Sequence, residues 1–226
     1  MQDFLLRLIP NVMKDLPILG KCIAETLQMT ARAGLISFVL GMIFGTILIV
    51  TRPGGIWQSR LIYQVLDKTV NILRSVPFII LLFCLLPLTR LISGTAIGVK
   101  GAIVPLVFGT TPFFSRQIEA ALSGVDPGLV EAAQSMGSGS VEIIWRVYWR
   151  ESVAAIARGV SITLINLVGL TAMAGAVGAG GLGNFAYIYG QQRNHMDNIY
   201  ITVLILVLLV MLIQWIGNLV VKRSTH

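Results

Sequence analysis

The chain has 226 residues, of which 55% are hydrophobic and only 12% charged, well below the roughly 25% charged residues of soluble domains. An ordinary soluble domain is therefore excluded. The net charge of +7 does not point to nucleic acid either, because no dense basic run with interleaved aromatics occurs.

Long uncharged runs are the signature of membrane spans, since about 20 helical residues cross a roughly 30 Å hydrocarbon core. Backbone groups in lipid must be satisfied internally, so the spans are helices or a closed barrel. The runs are continuous rather than alternating in ten-residue blocks, and an all-α polytopic membrane protein is predicted. Residues 1–22 are read as an N-terminal extracytoplasmic or interfacial segment. Its opening, MQDFLLRLIPNVMKDLP, is too broken by Arg7, Pro10 and Lys14 for a secretory signal core. Phe4, Leu5, Leu8, Ile9, Val12 and Met13 share one helical face, which fits a short helix lying in the interface; a frayed terminus fits equally.

A transmembrane domain over 23–221 follows, with five spans at about 26–50, 67–88, 96–116, 154–176 and 198–221, and then a tail at 222–226. The first span stops at Thr51-Arg-Pro-Gly-Gly, and Arg32 near its start would snorkel to the headgroups. Spans two and three carry Pro77, Pro87, Pro105 and Pro112. An interior proline removes a backbone hydrogen bond and kinks its helix. The result is either a bent pathway wall with two shapes or static packing.

Between spans three and four lies a polar island, DPGLVEAAQSMGSGSVEIIWRVYWRE, at 126–151. Asp126 followed by Pro127 is a helix start, the acid capping free N–H groups and the proline suiting the first turn. Leu129, Ala132, Ala133 and Met136 are placed on one face. Gly137-Ser-Gly-Ser interrupts the helix and permits a sharp turn. A second short helix is expected, with Val141, Ile144, Tyr148 and Trp145 as apolar contacts and a Glu142–Arg146 pair. The residues alone allow two readings of 126–150: a coupling region of two short helices parallel to the membrane, or a simple re-entrant loop.

Further along, Gly178-x-Gly180-x-x-Gly183 matches a dinucleotide fingerprint in form only, since a membrane span precedes it instead of a strand. Close helix packing or an unwound hinge lining a pathway remains. Thr163 and Asn166 lie three apart in span four and either line a path or bond between helices. His195 and His226 lack paired ligands, so no metal site is expected. Cys22 and Cys84 form no Cys-x-x-Cys pair and are read as single buried thiols. No Gly-x4-Gly-Lys-Ser/Thr loop occurs, so the chain has no such device for ATP, and no reactive constellation marks an enzyme.

Five spans place the termini on opposite sides. Arg52, Arg60, Lys68, Arg116, Arg146, Arg150, Arg158, Lys222 and Arg223 share one side, and Arg7, Lys14, Lys21, Arg90, Lys100 and Arg193 the other. The richer side faces the cytoplasm. The island and C-terminus are thus expected inside and the N-terminus outside.

Glu131-Ala-Ala, three residues, then Gly137 resembles the "EAA" loop of bacterial ABC importer permeases. The ending of that pattern, Ile-x-Leu-Pro-like, reads Val147-Tyr148-Trp149-Arg150 here, without the Leu and Pro. ETLQMT at 25–30, VTRPG at 50–54, RSVPFIILL at 74–82, GTAIG at 94–98 and TAMAGAVGAGGLG at 171–183 resemble the methionine-importer branch. The resemblance implies the type-1 transmembrane fold and a homodimer in the bacterial cell membrane forming the path for D- or L-methionine. It implies as partners two ATP-binding subunits, which would hold ATP and Mg, and an extracytoplasmic methionine-binding protein, with lipid around them. No cofactor is expected in this chain. Asp126, Glu131, Ala132, Ala133 and Gly137 would couple to the ATPase. Ser75, Pro77, Thr163, Asn166, Gly175, Gly178, Gly180 and Gly181 are candidates for path or gate. A permease for another amino acid or small nutrient, and an ATPase-independent channel or scaffold, are the alternatives.

Overall fold

The computed structural model describes residues 10–224, and among them there are helices and no strand. In chain order the helices are α1 Pro10–Lys14, α2 Leu16–Thr51, α3 Arg60–Ser75, α4 Phe78–Cys84, α5 Leu86–Ser93, α6 Gly98–Ser123, α7 Pro127–Ser135, α8 Ser140–Ile143, α9 Val153–Ala174, α10 Gly181–Asn184 and α11 Met196–Ser224. Three π-helical stretches are interposed: Ile144–Trp149, Gly175–Ala179 and Phe185–Gln191.

Three helical stretches are long and apolar enough to cross a bilayer: Leu16–Thr51, Val153–Ala179 and Met196–Arg223. The 26 residues of α6 extend about 39 Å at 1.5 Å per residue, although Pro105, Pro112 and the pair Thr110-Thr111 dilute its hydropathy.

The expected single span at 67–88 is corrected to three pieces. Val76 before Pro77 is extended (φ −82°, ψ 123°), as the residue before a proline tends to be, so α3 ends there and α4 begins after it. A second bend at Leu85 (φ −86°, ψ 0°) puts Pro87 in the first turn of α5, where its missing N–H costs nothing. Pro105 and Pro112, by contrast, sit within the unbroken α6.

The described residues fall into two compact units. One gathers the residues up to Leu35, Pro77–Val107 and Leu164–Ile213; the other gathers Ile36–Val76, Phe108–Thr163 and the residues from Gln214 on. In the first, Met29, Ala33, Phe78, Leu82, Ala102, Leu106 and Leu167 form one core, and Val12, Leu19, Cys22, Leu182 and Phe185 another. In the second, Ile49, Val50, Phe114, Ile118 and Leu122 pack with Val130, Ala133, Ile143, Ile144 and Tyr148 of the island.

Small buried residues recur along α2, namely Thr26, Ala33 and Ser37. They let neighbouring helices approach closely, as membrane helix packing favours. α3 is the most amphipathic element. Its Leu61, Ile62, Val65 and Ile72 are exposed, while Asp67 and Asn71 both accept from Arg116 of α6, and Arg116 also bonds Glu119 at 2.6 Å.

Phe4, Leu5, Leu8 and Ile9 of the expected interfacial helix lie outside the described residues. Val12 of that face is buried in a protein core instead of facing lipid. The reason is that α1 is tied down: the Asn11 N–H and Nδ2 donate to the two oxygens of Asp197 at 2.9 and 3.1 Å. The thiols also differ from expectation. Cys22 is buried, but Cys84 is exposed, because α4 turns Phe78, Leu81 and Leu82 inward and leaves Phe83 and Cys84 outside.

Candidate functional site: the polar island and the glycine break

The island begins as its sequence dictates. Asp126 Oδ1 accepts from the Gly128 N–H at 2.8 Å, and Pro127 occupies the first turn of α7. The helix closes in a Schellman arrangement. The Gly137 N–H donates to Gln134 O at 2.9 Å and the Ser138 N–H to Ala133 O at 3.0 Å. Gly137 itself sits at φ +82°, a conformation that side chains with a Cβ rarely adopt.

Burial splits the two central alanines. Ala133 is 5% exposed and packs with Val130 into the core beneath. Ala132 faces outward with Glu131, Leu129 and Met136, the last 79% exposed. Leu129, Ala132, Ala133 and Met136 therefore do not share one face. An α-helix separates positions 132 and 133 by about 100°, and Val130 at i−3 fixes Ala133 on the inner side. Glu131 makes no side-chain hydrogen bond or ion pair among the described residues.

The second half of the island also needs correction. α8 runs by the π-helical stretch Ile144–Trp149 directly toward α9, with helical φ and ψ at Ile144 and Arg150 and only a turn at Ser152 between. It is thus the lead-in to a span rather than a separate short helix. Ile143, Ile144 and Tyr148 supply the buried contacts, whereas Val141 and Trp145 are exposed. The Trp145 and Trp149 rings meet tilted at 53° with centroids 4.3 Å apart, and Trp149 Nε1 donates to Thr46 Oγ1 at 3.1 Å. The Glu142–Arg146 pair is present at 2.9 Å. Ser152 Oγ donates to Ala121 O at 3.1 Å, fixing the turn where the π stretch meets α9.

The second candidate region is the glycine break. α9 ends at Ala174; Val177 (φ −107°, ψ 21°) and Gly178 (φ 99°) leave the helical region, and Gly180 is extended with positive φ (87°, −163°). The chain then doubles back. A Cβ on Gly175 would stand 2.6 Å from Gly180 O and 2.8 Å from Asn184 N. The segment is closely packed at Gly175 and unwound at Val177 and Gly178.

Two side chains of α2 hold the restart. Glu25 Oε2 accepts from the Gly181 N–H at 2.8 Å, and Thr26 Oγ1 accepts from the Leu182 N–H at 2.8 Å. They supply partners for the N–H groups that any helix start leaves open. Neither residue carries a motif of its own within ETLQMT; the one signal in the sequence is an acid at the very edge of an apolar run. Beside the break lies a cavity of about 20 Å³ lined in part by Thr89, Ala174, Val177 and Ala179. The Thr89 hydroxyl is buried without a partner.

Ser75 is exposed and donates to Asn71 O at 2.8 Å, and Pro77 is the exposed start of α4. Thr163 is buried with its hydroxyl donating to Gly159 O at 2.7 Å, and Asn166 is half-buried in the same helix. No group of three or more His, Cys, Asp or Glu suited to a metal occurs among the described residues.

Residues 37–226 match the family of binding-protein-dependent transport system inner membrane components. The chain is 46% identical over 202 residues to the probable D-methionine transport system permease protein MetI of Vibrio cholerae, covering 89% of this chain and 90% of that protein. It is 42% identical over 211 residues to the methionine import system permease protein MetP of Bacillus subtilis, covering 93% and 94%. A solved structure of the MetNI methionine ABC transporter in an inward-facing conformation superposes with TM-score 0.92 at 42% identity, over 94% of this chain and 99% of that one. An amino acid ABC transporter solved with histidines superposes with TM-score 0.79 at 18% identity, a likeness of fold alone.

Proposed function

The chain belongs to the family of binding-protein-dependent transport system inner membrane components, and from that premise we propose that it is the permease subunit of an ATP-driven methionine importer. Relatives of two bacterial groups with methionine-transport names, matched over about nine-tenths of their length, support the substrate. Two copies form the path, two ATP-binding subunits drive it, and an extracytoplasmic methionine-binding protein delivers the amino acid. ATP and Mg belong to the ATP-binding partner. The island and C-terminus face the cytoplasm, the side that carries more of the basic residues, and the N-terminus lies outside.

The observation that carries the coupling role is the outward face of α7. Leu129, Ala132 and Met136 offer an exposed apolar surface beside Glu131, which has no side-chain partner among the described residues, while Asp126 and Gly137 fix both ends of the helix. A cleft on the ATP-binding subunit that closes on ATP would carry this face with it. Because Val130 and Ala133 are rooted in the core under α7, that displacement is passed to α2 and α6, and the path alternates between inward- and outward-facing forms. Each state is selected by the partner contacts it gains.

Methionine is zwitterionic with an apolar tail, so its path needs a few dipoles and apolar walls. Ser75, Pro77, Thr163, Asn166, Gly175, Gly178, Gly180 and Gly181 are assigned to the path or its gate. The test is reconstitution with the ATP-binding subunit and binding protein in vesicles. ATP-dependent methionine uptake in wild type, lost in Glu131→Ala with the complex still assembling, is the expected result. Uptake unchanged in that variant would remove the coupling role. Transport without any ATP-binding subunit would instead make the chain a channel.

A further inference from the structure

We propose that Glu25 is the positioning residue of the gate: its carboxylate latches the glycine break closed, and each transport cycle must release and remake that bond. The inference rests on the importer reading for what the gate does, but the latch itself is read from geometry.

The break is one short π-helical turn, and its far end is bonded from another helix. Between Ala174 and Gly181 the chain leaves the helical region at Val177 and Gly178 and passes through Gly180 with positive φ. Gly175–Ala179 keeps only a single π-helical turn, and glycines gain more freedom than other residues when released. What fixes its far end is the pair of acceptors on α2, Glu25 to the Gly181 N–H and Thr26 to the Leu182 N–H.

The two acceptors differ in kind. Thr26 is neutral and buried. Glu25 is an anion placed against a helix start, where the partial positive charge of the free N–H groups favours it, and a charge-assisted bond of this type is stronger than a neutral one. Glu25 also stays partly accessible, with Lys21 at 3.8 Å on its outer side, so water can take over the carboxylate when the bond opens.

Space is reserved for the carboxylate. A Cβ on Gly180 would stand 2.6 Å from Glu25 Oε2, and a Cβ on Gly181 would stand 2.7 Å from Thr26 Oγ1. The glycines are thus shaped to the acid as well as to the turn. Val177 at the tip of the break is exposed, where any opening would be felt first.

The experiment compares Glu25→Ala, Glu25→Gln and Thr26→Val in vesicle-reconstituted transporter. The gate is read directly with a single cysteine at Val177 in a Cys22→Ala, Cys84→Ser background, labelled by a membrane-impermeant maleimide. Glu25→Ala is expected to raise the labelling rate in the resting state roughly tenfold, the factor that corresponds to about 1.4 kcal/mol. It is also expected to raise ATP hydrolysis without binding protein while uptake falls. Glu25→Gln, which keeps an acceptor oxygen without the charge, should recover part of both, and Thr26→Val should shift them less than Glu25→Ala.

Wild-type labelling and ATPase coupling in Glu25→Ala would overturn the latch, as would equal defects in Glu25→Ala and Glu25→Gln with unchanged labelling. If Glu25→Ala fails to assemble, the same readouts on Glu25→Gln and Thr26→Val decide: a shift in labelling supports the latch and no shift overturns it. Because labelling needs no substrate, failure of methionine uptake in the wild type would count against the importer reading and leave this result standing.

Discussion

Neighbouring alanines in α7 make opposite demands. Ala133 is packed against Val130 and the core beneath, so Ala133→Leu inserts three heavy atoms into filled space and should cost about 1–3 kcal/mol, measured as a lower thermal midpoint of the detergent-solubilised chain. Ala132 points outward, so Ala132→Leu should leave that midpoint within about 0.5 kcal/mol-equivalents of wild type while weakening capture of the ATP-binding subunit in a pull-down. Gly137→Ala meets no atom within 4 Å, so its penalty is conformational only, about 1 kcal/mol for holding a Cβ at positive φ. It should fray the end of α7 and reduce uptake more than it reduces the midpoint. The sequence made Asp126, Pro127 and Gly137 legible because caps act locally. It did not separate Ala132 from Ala133, since that choice depends on which side of the helix Ile143 and Tyr148 arrive from. Glu25 was missed for a similar reason: its partner is 156 residues away.

At the scale of elements, α2 starts ten residues ahead of the expected 26–50, α11 overruns 198–221 by two residues at its start and three at its end, and α9 stops at Ala174, two residues short of the expected 154–176. The break inside 67–88 is invisible in an apolar run, which carries no sign of the φ/ψ restriction that Pro77 places on Val76. The joint between α3 and α6 depends on one cation. Arg116 bonds Asp67, Asn71 and Glu119, with both carboxylates largely shielded. Arg116→Met removes the cation and leaves two acids side by side. The expected loss is about 2 kcal/mol, between the values for exposed and for fully buried pairs, seen as faster proteolysis within α3. The double variant Arg116→Met with Asp67→Asn should recover part of it. No pattern in the sequence announces this joint, because Arg116 meets Asp67 and Asn71 across 49 and 45 residues of chain.

For the whole molecule, the two compact units mean that different variants should report through different parts of the chain. Variants at Asn11 or Asp197 touch only the unit that holds α1 and the start of α11. Asp197→Ala leaves the Asn11 donors without partners, so hydrogen exchange should rise in α1 and at the start of α11 and stay unchanged in the island. Equal rises everywhere would mean that the chain unfolds as one body. The island meanwhile carries an optical property of its own. Trp145, 61% exposed, stands 4.3 Å from Trp149, whose indole is held by Thr46. One ring is therefore open to solvent and the other screened, so covering the island should turn the emission of Trp145 toward the blue while Trp149 stays constant, and the arrival of an ATP-binding subunit could be followed by fluorescence with no added dye.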